Sequence, residues 1–158
     1  MSIARFLHVS AAQYAADQPL PGALPVADIP LPRRATAGSA GYDFVCTADV
    51  ELQPGQALTI PTGMRCEMQP GWVLMLFPRS GLGFKYQLHL ANTVGVIDSD
   101  YFHAANEGHI MVRIVGGNQP VRIARGERFC QGVFLPHGVA EEDDVSADRA
   151  GGFGSTGK

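Results

Sequence analysis

Short apolar runs, each closed within a few residues by glycine or proline, run through this chain from about residue 42 onward and exclude long helices there. Proline lacks an N–H and fixes φ, and glycine weakens helix interiors. With 11 prolines and 19 glycines, short strands and turns are the accessible solution. Leu58, Ile60, Thr62, Met64, Cys66 and Met68 alternate with more polar neighbours, the period of one half-buried strand. Gln69-Pro70-Gly71 is a turn signal, and the continuous apolar run from Trp72 to Phe77 predicts a fully buried strand. Ile110 to Val115 and Phe129 to Leu135 predict two more strands, with turns at Gly116-Gly117-Asn118 and Pro136-His137-Gly138. The pattern is that of an all-β sandwich, barrel or jelly-roll-like domain. One short helix is expected over residues 10–17, with Ser10 as N-cap and alanines favouring the helix. Residues 18–32 carry five prolines and read as an extended connector.

The apolar fraction is 46% and the charged fraction 17%, as in one globular domain with a real core. A formal net charge of −3 argues against a broad nucleic-acid surface but leaves room for a local basic pocket. Cys46, Cys66 and Cys130 lie far apart with no C-x-x-C spacing, so neither a disulfide framework nor a zinc site is expected. Buried free thiols in a reducing compartment fit better. No signal peptide or membrane span is visible, and the expected location is the cytoplasm. His8, His89, His103, His109 and His137 form no metal-ligand spacing, and no Ser-His-Asp arrangement supports covalent hydrolysis.

Five segments carry chemistry. Gly151-Gly152-Phe153-Gly154-Ser155-Thr156-Gly157-Lys158 has the glycines, hydroxyls and lysine that surround phosphates. Gly152 to Lys158 spells most of a P-loop, but a P-loop needs a following Ser/Thr and a helix. The expectation is therefore a phosphate-gripping strap; a plain terminal Gly/Ser tail is the bland alternative. Pro78-Arg79-Ser80-Gly81-Leu82-Gly83 follows an apolar strand and can present a guanidinium, a hydroxyl and N–H groups to one anion, or can be a simple turn. Asn92 to Tyr101 runs through apolar Val94-Gly95-Val96-Ile97 into Asp98-Ser99-Asp100. Carboxylates there can act as a base or bond their own turn. Ala40-Gly41-Tyr42-Asp43-Phe44 and Gly126-Glu127-Arg128-Phe129-Cys130-Gln131 are weaker signals on their own.

Taken together and in this order, the five segments resemble the trimeric dUTP diphosphatase (dUTPase) family over residues 31–158. Pro32-Arg33-Arg34-Ala35-Thr36 with Ala40-Gly41-Tyr42-Asp43 looks like the first family motif. The Arg79, Asp98, Gln131 and Gly-Phe-Gly segments look like the second to fifth. The resemblance implies an all-β, distorted jelly-roll (β-clip) subunit with a short N-terminal helix and a flexible C-terminal arm. The implied divisions are residues 1–30 as helix and connector, 31–138 as the β domain, and 139–158 as linker and lid. It also implies a homotrimer with active sites at subunit interfaces, and hydrolysis of dUTP to dUMP and pyrophosphate with Mg²⁺ held by the triphosphate.

By the same resemblance, Asp98 activates the attacking water and meets the sugar 3′-OH. Tyr101 packs on the deoxyribose and leaves no space for a 2′-OH. Asn92, Gly95, Val96, Ile97 and Met111 read uracil. Arg79, Ser80 and Gly81 hold phosphates, with Gln131 on the phosphate side. Asp43 stands near the metal through water, or in a structural bond. In the tail, Phe153 and Gly154 cover the base while Arg149, Ser155 and Thr156 reach the γ-phosphate. The chain departs from the family in a longer link over residues 102–108, in a shorter spacing from Arg149 to Phe153, and in its N-terminal segment. Two rival readings rank below this one, the first sharing the fold but not the central segment or the Gly-Phe-Gly-Ser-Thr tail. One is a dCTP deaminase-like enzyme of the same fold. The other is a dUTP-binding regulatory protein that meets a host or regulatory partner through the 102–108 insert.

Overall fold

The computed structural model describes residues 2–143, 145 and 146. Its largest layer is a five-stranded sheet in the order β2-β3-β12-β7-β9, formed by Arg33–Arg34, Tyr42–Val45, Arg128–Pro136, Trp72–Pro78 and Gly95–Asp98. A three-stranded sheet joins β5 (Ala57–Pro61), β10 (Met111–Val115) and β8 (His89–Leu90). Two-stranded pairs complete the fold: β1 (Ala4–His8) with β6 (Met64–Met68), and β4 (Val50–Leu52) with β11 (Val121–Ile123). Each of these ladders is antiparallel. The all-β reading holds, and a core of Phe44, Leu52, Ile60, Leu74, Leu76, Ile114 and Phe129 lies between the layers.

The expected N-terminal helix is present as α1 (Ala11–Ala16), and Ser10 accepts the Gln13 N–H through its side chain. The connector over residues 18–32 contains one 3-10 turn, Val26–Asp28. Three expectations need correction. Residues 58–68 are two strands rather than one. The chain leaves β5 through Thr62 and Gly63, where Gly63 has φ +73°, and β6 then pairs in a different sheet. A left-handed residue ends a strand, and a Cβ at Gly63 would meet Ile29 Cδ1 at 2.6 Å. Trp72 to Phe77 is a central strand, but only Leu74 and Leu76 are fully buried, because alternate side chains point to the sheet's other face. The segment after Pro78 is a short helix, α2 (Ser80–Tyr86), rather than a turn. Strand β1 had no sequence reading; it adds to β6 from Ala4↔Met68 to His8↔Met64.

Cys46, Cys66 and Cys130 are free and buried, as expected. Burial pushes the Cys46 thiol up to about 11 and the Cys66 thiol to about 12, so both stay protonated at neutral pH and act as packing. Among the described residues no helix is long and apolar enough to cross a membrane.

Candidate active site

Arg33, Asp43, Gln131 and Phe77 stand opposite one another across four neighbouring strands. Directly opposed residues share a face, so this row sets Asp43 and Gln131 side by side. Arg79, two positions beyond Phe77 on the same chain, closes the cluster. Its Nη1 lies 3.4 Å from Asp43 Oδ2, and Arg128 Nη1 lies 3.1 Å from the same oxygen. A register shift between Arg128 and Cys130 breaks the strand's alternation there, and Arg128 reaches Asp43 from the same strand that carries Gln131. Gln131 donates from Nε2 to Pro78 O at 3.4 Å. It lies against the backbone of Gly41, where a Cβ would sit 2.3 Å from Gln131 Oε1. A side chain at Gly41 would displace the end of Gln131, so the glycine leaves Gln131 its place beside Asp43.

Arg79 also joins β7 to α2. Its N–H donates to Phe129 O at 3.1 Å, and its carbonyl accepts from the Leu82 and Gly83 N–H groups. Ser80 and Gly81 form the first turn of α2, where N–H groups have no acceptor within the helix. The Arg79 side chain is 29% exposed beside them. Guanidinium, hydroxyl and N–H groups thus converge on one corner able to hold a phosphate chain.

Asp98 ends β9, and the 3-10 turn Ser99–His103 follows at once. Upstream, Ala91 N–H donates to Arg113 O, setting the 91–94 turn beside β10 and towards its Met111 end. Asn92 is exposed, and Val96 is 55% exposed on the hairpin. Gly95 stands against Leu76, where a Cβ would meet Leu76 Cβ at 2.9 Å. Any larger residue there would push the hairpin off β7. Tyr101 is 3% exposed. Its hydroxyl donates to His109 O at 2.7 Å and accepts from Asn106 Nδ2 at 2.9 Å.

The two groups do not meet within one chain. β7 and β9 are antiparallel with Asp98 opposite Val73, whereas Arg79 and Ser80 follow the far end of β7. At ~3.3 Å per residue, the run from Val73 to Arg79 separates them by about 20 Å. Between them the same sheet face carries Val73, Met75, Phe77, Val133, Val96 and Leu135. Val96 is 55% and Leu135 44% exposed. The face is thus apolar between the Arg79 corner at one end and the Asp98 carboxylate at the other.

Residues 102–108 pack on their own chain. The Glu107 carboxylate accepts from Ser10 N at 2.8 Å and from Ser10 Oγ at 2.6 Å, and these bonds hold its carboxyl below the usual range. Arg65 donates to Phe102 O at 2.6 Å and lies over the Phe102 ring. His109 is fully buried; its Nε2 accepts from Gly63 N–H at 2.9 Å, and Nδ1 lies 2.6 Å from Asp17 Oδ2. The sequence gives His109 and Asn106 no role of their own: His109 meets Gly63 and Asp17 from distant segments, and Asn106 lies in a link with no periodic pattern. Only the Ser10 cap offered a local signal.

Burial lowers the affinity of His109 for a proton, and this outweighs the opposing pull of Asp17 and Glu107. Nδ1–H therefore donates to Asp17 from a neutral ring that also packs against Tyr14. The unfolded chain takes up a proton near the ordinary 6.5 that the folded chain refuses. Stability is full above that value and declines as pH falls through it toward the lower folded value. The melting temperature is expected to drop between about pH 7.5 and about pH 5.5, and His109→Gln to flatten that slope. Calorimetry of both proteins over this range provides the check; equal slopes would remove His109 from the acid response.

Asp43 already faces two guanidiniums, which suits a structural bond or a water-separated ion better than direct metal ligation. Among the described residues no group of three or more His, Cys, Asp or Glu side chains is placed to hold a metal. The expected tail contacts of Arg149, Phe153, Gly154, Ser155 and Thr156 lie outside the described residues.

The profile of the dUTPase family matches residues 27–157. The deoxyuridine 5′-triphosphate nucleotidohydrolase of Lactococcus lactis is 44% identical over 135 residues, covering 83% of this chain and 90% of the relative. That of Hahella chejuensis is 47% identical over 139 residues, covering 82% and 88%. Among solved structures, the dUTPase from Streptococcus mutans superposes with a TM-score of 0.67 at 37% identity, over 86% of this chain and 98% of that one. The dUTPase from phage phi11 of S. aureus has a TM-score of 0.66 at 20% identity over 92% and 97%, a likeness of fold. With a profile that spans most of the chain and relatives above 40% identity along nearly their whole length, this protein belongs to the dUTPase family.

Proposed function

We propose that this protein hydrolyses dUTP to dUMP and pyrophosphate in a site completed by neighbouring copies of the chain, as a homotrimer. Family membership and the relatives' named activity support the reaction. The observation that carries the shared site is the separation of Asp98 from Arg79 and Ser80 on one sheet face. Asp98 and the phosphate corner must both reach one triphosphate, and backbone positions about 20 Å apart along β7 favour their supply by different copies. A second copy laid on the apolar face brings its own Arg79 corner to the first copy's Asp98.

In that site Asp98 takes a proton from water as the water oxygen bonds to the α-phosphorus. The bond from that phosphorus to the bridging oxygen breaks, and pyrophosphate leaves with the electron pair. Arg79, Ser80 and the Gly81 N–H hold the phosphates in line, and Gln131 steadies the same corner. Charge neutralisation of this kind is usually the larger share of phosphate-transfer catalysis. Arg128 and Asp43 fix the angle of Arg79. Mg²⁺ enters as part of the substrate, on the triphosphate oxygens, and among the described residues no group of three or more His, Cys, Asp or Glu side chains is placed to hold it instead. Asn92, Gly95 to Ile97 and Met111 form the uracil side, and Tyr101 the floor under the deoxyribose. Phe153, Gly154, Ser155, Thr156 and Arg149 close over the nucleotide as a lid. The buried thiols fit a reducing compartment, and we place the enzyme in the cytoplasm. Glu107, Asn106 and Phe102 all bond inward, which supports reading segment 102–108 as a brace for its own chain, while exposed His103 and Ala105 leave its outer side open to a partner.

Pyrophosphate release across dUTP, dTTP, dCTP and UTP with Mg²⁺ tests the reading. dUTP is expected to exceed the other three by at least about 100-fold in kcat/KM, since steric exclusion adds to a methyl contact worth only ~1–3 kcal/mol. Equal rates on dCTP, or ammonia release from it, would point to the deaminase alternative.

A further inference from the structure

We propose that Asn106, in the lengthened link over residues 102–108, is a positioning residue that sets sugar selectivity through Tyr101. The inference rests on the reading above that Tyr101 faces the deoxyribose. A phenol ring can exclude a 2′-OH only if it cannot yield; packing confines the buried Tyr101 ring, and bonds to its hydroxyl set the ring's tilt within that space. Here the Tyr101 hydroxyl is held from both sides, by Asn106 Nδ2 at 2.9 Å and by His109 O at 2.7 Å. Both groups are themselves held. Asn106 Oδ1 accepts from Gly108 N–H at 3.2 Å, and His109 is bonded through both ring nitrogens, to Asp17 and Gly63.

The next residue, Glu107, sits at φ +59°, a conformation that needs support from its surroundings. Its two bonds from Ser10 supply that support and fasten the link to the start of α1. Phe102 is fastened at the other end by Arg65. The link is thus anchored at Phe102 and at Glu107, and between them Asn106 turns its side chain to Tyr101. The partly buried bonds among Tyr101, Asn106, Gly108 and His109 favour a single geometry, and loss of one member loosens the rest. This gives the departure from the family pattern a role: it locks the sugar wall, three residues after the proposed base, to the N-terminal helix.

The test measures kcat/KM for dUTP and for UTP in Asn106→Ala, in the isosteric Asn106→Asp, in Tyr101→Phe and in the double variant Asn106→Ala/Tyr101→Phe. Loss of one neutral hydrogen bond corresponds to about three- to tenfold. Both Asn106 variants are expected to lower the dUTP-to-UTP ratio by that factor, chiefly through better use of UTP, with kcat for dUTP within about twofold. Tyr101→Phe is expected to lower the ratio similarly, and Asn106→Ala to add nothing in the Phe background, the signature of one shared interaction. An unchanged ratio in both Asn106 variants would overturn the proposal, as would equal losses on both substrates. Asn106→Asp keeps the side-chain shape and carries the test if the alanine variant does not fold. If the unaltered enzyme itself fails to discriminate dUTP from UTP, the reading of Tyr101 fails, an outcome distinct from failure at Asn106.

Discussion

Replacing Asp98 with Asn is expected to lower dUTP turnover by roughly 10²–10⁴-fold while leaving nucleotide affinity within a few-fold. The substitution keeps the shape of the side chain and the strand pairing of β9, which depends on the backbone opposite Val73. It removes the ability to accept a proton from water. That loss corresponds to about 3–5 kcal/mol of transition-state stabilisation. The remaining rate reflects the phosphate corner at Arg79 and Ser80, which the substitution does not touch. Pyrophosphate release gives kcat, and titration calorimetry with a non-hydrolysable dUTP analogue gives affinity. Turnover near that of the parent enzyme would take the base away from Asp98. A parallel loss of binding would make its main contribution the sugar hydroxyl instead.

The second large effect is recovery of activity from two inactive proteins. Arg79→Ala and Asp98→Asn each disable a different half of the site, and the halves lie about 20 Å apart in one chain. If each working site takes Asp98 from one copy and Arg79 from a neighbour, mixed assemblies contain intact sites. With equal amounts and random exchange, about one quarter of sites receive both native residues. Activity should rise from near zero in either protein alone to roughly a quarter of the parent value after subunit exchange. A site contained in one chain would give no recovery at any ratio. Sedimentation of the same mixtures shows whether exchange occurred, so absence of activity with proven exchange would end the shared-site reading. Arg79→Ala is a fair partner because Asp43 keeps Arg128 at 3.1 Å and is not left buried without a counter-charge.

Much of this molecule was legible in one dimension, for reasons visible at single residues. Ser10 accepts the Gln13 N–H because a hydroxyl just before an alanine run is a local, three-residue signal. The turn at Gln69-Pro70-Gly71 separates β6 from β7 where the sequence places it, with Gly71 at φ +84°. The two-residue alternation of 58–68 was real but concealed a change of sheet, because a period of two continues on either side of Gly63. The α2 helix was missed for a related reason. Pro78-Arg79-Ser80-Gly81 has turn composition, and the helix gains its hold from Arg79, whose N–H is tied to Phe129 on another strand.

The amino-acid sequence by itself determined the chemistry on offer: a guanidinium and hydroxyl after an apolar strand, a carboxylate ending another, and short strands between turns. These are properties of residue type and near-neighbour spacing, which survive in one dimension. The tertiary structure alone decided where those groups stand. Antiparallel pairing of β7 with β9 sends Asp98 to the end opposite Arg79, and the register of β3, β12 and β7 gathers Asp43, Gln131 and Arg79. Glu107 reaches Ser10 across 97 positions, and Asn106 holds Tyr101 through a link with no local period to announce it. Register and loop docking depend on contacts between distant segments, so the separation of Asp98 from Arg79 becomes visible only once the strands are laid side by side.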